Sequence, residues 1–130
     1  MRKTTSILFF VVLVLLVIIV TDPFKVMSKK VSPLLIGTGE AKARRFGLII
    51  DVRTPEQRQV LGYYPNSIPI SLEKLDMEVP LDISNKNTWI LVYSNGDEKA
   101  QYAAEKLYIA GYPNVRYIQG TYLSLMPGSN

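Results

Sequence analysis

The stretch Gly47-Leu-Ile-Ile-Asp51-Val most narrows the folds open to this chain. It is short, wholly apolar and closes on an aspartate. It does not alternate polar and apolar residues as a strand with one wet face does. Such a run suits a parallel strand covered on both faces. Parallel neighbours need a long crossover between them, usually a helix. The residues that follow supply one. Thr54 can cap, Pro55 fits a first helical position, Gln57 can complete a capping box, and Gly62 ends the helix.

The rest of the chain repeats that alternation. Ile68 to Ser71 reads as a second short strand, Ser71 to Asp76 as a brief helical turn, and Met77 to Asn87 as a loop broken at Pro80. Thr88 to Tyr93 is the most strand-like run, rich in aromatic and β-branched residues. Ala100, Ala103, Ala104, Leu107 and Tyr108 follow the i, i+3, i+4, i+7, i+8 pattern of an amphipathic helix. Gly111 stands where a left-handed cap is expected. Val115 to Gln119 reads as a last strand, and Gly120 to Met126 as a final helical turn. The sequence has no internal repeat and no low-complexity tract. Right-handed crossovers between such units make the sheet mostly parallel, so the fold class is α/β.

The amino-terminal part is different. From Thr4 to Thr21 no residue is charged, and Ile7 to Val20 is unbroken Ile, Leu, Phe and Val. As a helix, that segment reaches about 27 Å, against a hydrocarbon core about 30 Å thick. A cleaved signal peptide would also have Arg2 and Lys3 in front. The residues after the run, Ile19-Val-Thr-Asp-Pro-Phe, lack a small-x-small cleavage site. A buried core helix would show a polar face, and this segment has none. An uncleaved single-pass anchor in residues 1–21 is therefore expected, with the lipid bilayer as partner of residues 4–21. A juxtamembrane linker at 22–33, the α/β domain at 34–126 and a short tail at 127–130 complete the expected organisation.

The net charge of +4 belongs to the same end. Arg2, Lys3, Lys25, Lys29 and Lys30 outnumber Asp22, whereas residues 31–130 carry ten Lys or Arg and ten Asp or Glu. The pI of 9.3 is thus a juxtamembrane property and not a nucleic-acid surface. Basic residues flank the span on both sides, so the positive-inside rule gives no orientation. The chain has no cysteine and no histidine. Metal binding is left with scattered carboxylates only, and no Gly-rich nucleotide loop is present. No cofactor is expected.

One junction concentrates the chemistry. Trp89 to Ala104 reads as buried strand, tight loop and helix, and in an α/β fold that junction holds nucleophiles and anion cradles. Ser94 occupies the nucleophile position. With no histidine to activate it, Ser94 is expected to be a small polar residue opening the helix, and a catalytic serine is the minor alternative. Asp51 and Arg53 are expected to form an internal ion pair or to cap a neighbouring loop. Tyr63, Tyr64, Tyr93, Tyr102 and Tyr122 invite comparison with a recognition patch, although several must be core.

These segments, in order, resemble the rhodanese-like domain over residues 34–126. Leu48-Ile-Ile-Asp51-Val-Arg53-Thr-Pro-Glu56 resembles the family's first signature. Gly62-Tyr-Tyr-Pro65-Asn-Ser-Ile68-Pro-Ile70 resembles its Gly-His-Ile-Pro-Gly-Ala stretch. Trp89 to Ala104 resembles its active-site strand, loop and helix, and Gly111 to Val115 with Ile118-Gln-Gly120 its closing segment. The resemblance implies a three-layer domain with a mostly parallel central sheet. It also implies a cysteine that carries sulfane sulfur as a persulfide in a cradle of backbone N–H groups. The aligned loop here is Ser94, Asn95, Gly96, Asp97, Glu98 and Lys99, with Asp51 and Arg53 in support.

Ser94 replaces the cysteine, and a hydroxyl cannot hold a persulfide. Asp97 and Glu98 set carboxylates where an anion should be received. Lys99 offers a point charge in place of an arginine fork, and Tyr63 replaces the family's histidine. The expectation is a membrane-anchored, catalytically inactive rhodanese-like module for binding or scaffolding, with an unknown protein partner and no nucleic acid. The alternatives are an enzyme with altered, hydrolase-like chemistry at Ser94, or an anion sensor.

Overall fold

The computed structural model describes residues 32–129. The anchor expected in residues 4–21 lies outside them. Among the described residues no helix is long and apolar enough to cross a membrane.

Four short strands pair in parallel: β1 (Leu48–Asp51), β2 (Ile68–Pro69), β3 (Ile90–Tyr93) and β4 (Val115–Tyr117), in the order β2-β1-β3-β4. Leu35 forms a further parallel bridge to Tyr117 at the outer edge of β4. The Ile36 N–H donates to the Tyr117 carbonyl and the Tyr117 N–H to the Leu34 carbonyl, both at 3.1 Å.

Both faces of the sheet are covered, as the unalternated strand sequences require. On one face Leu48, Ile50, Ile90 and Val92 pack with Leu75 and Val79 of α3 (Leu75–Asp82) and with Ala103 and Leu107 of α4 (Lys99–Ile109). On the other, Leu91, Tyr93 and Ile118 pack with Ala41 of α1 (Thr38–Ala43) and with Leu125 of a 3-10 turn (Tyr122–Leu125). The result is three layers.

Local chemistry sets both ends of one helix and the end of another. In α2 (Pro55–Leu61) the Thr54 hydroxyl accepts from the Gln57 N–H and the Gln57 side chain accepts from the Thr54 N–H, both at 3.1 Å. Gly62 ends the helix at φ +80°, a conformation open to glycine. The end of α4 is a Schellman turn. The Gly111 N–H donates to Tyr108 O and the Tyr112 N–H to Leu107 O, each at 3.1 Å, with Gly111 at φ +108°. Ala100, Ala103, Ala104 and Leu107 are buried as their spacing predicts, but Tyr108 is exposed at the helix end.

One segment departs from expectation. Residues 77–82 continue a helix where a loop broken at Pro80 was expected. Proline lacks an N–H, so Pro80 forfeits the bond to the Asp76 carbonyl. Asp76 and Pro80 both face solvent, where water can serve that carbonyl. The fully buried pair Leu75 and Val79, one turn apart, holds the helix to the core.

Candidate functional site

β1 and β3 are neighbours in register, so Asp51 and Tyr93 end their strands side by side. β2 lies beyond β1 and β4 beyond β3, so the strand order reverses between the two central strands. The crevice at the carboxyl ends of such a pair is the usual ligand position in an open α/β sheet.

Asp51 is fully buried, and its carboxylate accepts five hydrogen bonds. Oδ1 receives the Arg53 backbone N–H and Nε, both at 2.9 Å. Oδ2 receives Arg53 Nη2 at 2.7 Å, Arg58 Nη1 at 3.0 Å and the Tyr93 hydroxyl at 3.1 Å. Arg53 is thus a bidentate partner, the geometry that makes a buried pair tolerable. Its remaining donors reach Gly62 O at 2.6 Å and Asn95 Oδ1 at 3.2 Å.

The electrostatics follow from this packing. Burial alone would raise the Asp51 carboxyl. The hydrogen bonds and charge of Arg53, with the bond from Arg58, outweigh it and hold the group below its ordinary value. The bond to Asp51 raises Arg53 despite its burial. Burial pushes the Tyr93 phenol up, so it keeps its proton and can donate.

A second tier links this cluster to the segment after α2. Ser67 Oγ lies 2.9 Å from the Tyr93 hydroxyl and donates to the Tyr64 carbonyl at 2.6 Å. The Tyr64 N–H donates to the Tyr93 oxygen at 3.1 Å. Arg58 reaches both Ser67 Oγ at 3.1 Å and Ser67 O at 2.8 Å. Arg58, Ser67 and Tyr93 have no role in the sequence-based site. They come from separated segments, and α2 buries no residue, so periodicity gives no sign that Arg58 turns inward.

Ser94 lies at the carboxyl end of β3, 1% exposed, and its Oγ has no hydrogen-bond partner among the described residues. It does not open the helix. Gly96 adopts φ +86° and α4 starts only at Lys99, with Glu98 as its N-cap. The intervening loop keeps Gly96, Asp97 and Glu98 in solvent and Asn95 half-buried. Asp97 Oδ1 accepts the Lys99 N–H at 3.1 Å. The loop therefore places its own carboxylate on the first amide of α4, a donor that an external anion would otherwise engage.

Among the described residues Ser94 has no partner that could activate it. No base lies within hydrogen-bond distance of Ser94 Oγ among the described residues, and Asp51 is spent on its arginines. The sequence offers no thiol on which a persulfide could form. Among the described residues no group of His, Cys, Asp and Glu could hold a metal ion. The tyrosines divide between roles: Tyr93 is core, Tyr122 caps the Leu61 carbonyl at 3.1 Å, and Tyr63 and Tyr102 are exposed on different elements.

Solved structures share this architecture. A rhodanese with anions from E. coli is 29% identical, the match covering 62% of this chain and 91% of that one with a TM-score of 0.51. The Alr3790 protein from Anabaena sp. is 22% identical over 68% of this chain and 81% of that one, with a TM-score of 0.59. A human single-domain sulfurtransferase is 16% identical, covering 76% of this chain and all of that one, with a TM-score of 0.57. At their lower identities the last two share the fold alone. No curated protein matches the chain. The family model described as the rhodanese-like domain matches residues 35–125, from the Leu35 bridge to the last 3-10 turn. By that match the chain belongs to the rhodanese-like domain family.

Proposed function

We propose that this chain is a membrane-tethered rhodanese-like module that binds a partner protein and performs no sulfur transfer. The observation that carries the reading is the pairing at the end of β3. A buried hydroxyl with no hydrogen-bond partner among the described residues stands at the nucleophile position, and a carboxylate of the same loop already occupies the first amide of α4. Either feature alone weakens sulfur chemistry; together they remove the nucleophile and occupy part of its cradle. The buried Asp51 cluster keeps the domain folded with its site disabled. The hydrolase-like alternative gains nothing from the geometry, because Ser94 is neither exposed nor next to a base.

The test is a thiosulfate sulfurtransferase assay on the full chain with cyanide as acceptor. Turnover at the buffer blank is expected, and turnover above it ends the reading. The tether rests on the uncharged stretch of residues 4–21, outside the described residues. Carbonate extraction of membranes from expressing cells tests it separately: the chain should remain in the pellet. A single cysteine introduced on the domain, probed with an impermeant maleimide, then gives its side.

A further inference from the structure

Arg58 links the buried carboxylate to open space. Three of its donor contacts are spoken for: Nη1 serves Asp51 and Ser67 Oγ, and Nη2 serves Ser67 O. A guanidinium has five N–H donors in a plane. The Nε–H and the second Nη2–H are left, neighbours on one edge, with no acceptor among the described residues. Tyr63 lies over the guanidinium at 3.9 Å and fixes its plane.

A cavity of about 430 Å³ opens beside that group, where α2, β2 and the turn before α3 meet. Its walls are unequal in character. Pro55, Tyr63, Pro69 and Ile70 give an apolar side, while Arg58 and Lys74 give a cationic one. Glu78 supplies the cavity's carboxylate, and Asp51 lies behind it. Arg53, Arg58 and Lys74 therefore set three positive charges against the two carboxylates of Asp51 and Glu78, beside an open, mostly apolar wall. Lys74 is exposed and has no ion-pair partner among the described residues, so a monoanion held on Arg58 is the complement its charge favours. A dianion would overshoot.

We propose that this cavity binds a small organic monocarboxylate. The carboxylate sits on the free edge of Arg58 within reach of Lys74, and its apolar body lies along Pro55, Pro69 and Ile70. The site is separate from the Ser94 loop, no residue of which lines the cavity. The proposal goes beyond the inactive-module reading and does not depend on it.

Fluorine NMR of 4-fluorobenzoate with the full chain in detergent tests it. Saturable binding is expected. Acetate, which lacks the body, and inorganic phosphate should each compete at least roughly tenfold less well than unlabelled benzoate. Lys74→Glu reverses an exposed charge and should weaken binding by roughly tenfold or more, while Lys99→Glu at the loop should leave it within about twofold. Arg58→Lys keeps the charge but loses the fork and should also weaken binding; if that variant fails to fold, Lys74→Glu decides. No saturable binding by the unmodified chain overturns the proposal. So does binding indifferent to Lys74→Glu, or binding lost instead on Lys99→Glu, which would move the ligand to the loop. Sulfurtransferase turnover is unaffected by any of these results and is read on its own.

Discussion

Replacing Ser94 by alanine removes one buried oxygen and leaves the backbone of β3 untouched. Ser94 is 1% exposed and its Oγ has no protein partner among the described residues. Burying an unpaired hydroxyl costs about 1–3 kcal/mol on the scale of protein mutants. The void left by one oxygen costs less, about 0.5–1 kcal/mol, the low end for losing a methylene. The net expectation is a gain of about 1 kcal/mol, or a Tm higher by about 4–8 °C for a domain of this size. Had the hydroxyl an occupied hydrogen bond, its loss would instead cost about 1 kcal/mol. The two cases differ by about 2 kcal/mol, well beyond the error of a urea titration. Trp89, the only tryptophan, begins the same strand segment, with Arg44 at 3.9 Å over its ring, and gives the fluorescence signal. The midpoint should rise at constant m. A fall in midpoint equivalent to about 1 kcal/mol would refute the claim that this oxygen is an orphan, and with it the main evidence that the position is inert.

Three further outcomes follow from the same geometry. Asp51→Asn removes the carboxylate that two guanidiniums share and should destabilise the domain by about 3–5 kcal/mol, the usual cost of breaking a buried pair; a loss below about 1 kcal/mol by urea titration would show that the cluster is wet. Because the folded Asp51 titrates below its ordinary value, its contribution is complete above the unfolded value near pH 4 and is lost as pH falls through the folded one. The urea midpoint of the native chain should thus drop below about pH 4, and that share of the drop should be missing in Asp51→Asn. Ser94→Cys restores a thiol but keeps Asp97 on the Lys99 amide, so thiosulfate sulfurtransferase activity should stay near the blank; high activity from this one change would show that the loop was never spoiled.

What the sequence could show, and what it could not, divides by distance along the chain. The capping box of Thr54 and Gln57 and the glycine at the end of α4 are legible because each is settled within a few residues. The central strands β1 and β3 are legible because their unalternated Leu, Ile and Val leave a parallel, doubly covered sheet as the outcome. Residues 77–82 were misjudged because the Pro80 signal is local, whereas the anchoring of Leu75 and Val79 is tertiary. Ser94 was expected at a helix start, yet the left-handed Gly96 delays the helix by five residues, a detail of loop path that composition does not encode. The partnership of Asp51 and Arg53 was foreseeable two positions apart. That of Asp51 with Arg58, Tyr93 and Ser67 was not, since it exists only after β1, α2, the segment before β2 and β3 have come together.

The bridge from Leu35 to Tyr117 has a mechanical side. Tension applied through the amino end of the domain meets the pair of backbone bonds joining Leu34 and Ile36 to Tyr117 before it loads the four-stranded sheet. Those bonds sit on an outer edge and can give way one after the other, like a zip, while β1 to β4 stay joined. Loss of those two bonds would uncover the outer edge of β4 while leaving the pairing that holds Asp51 and Ser94 in place.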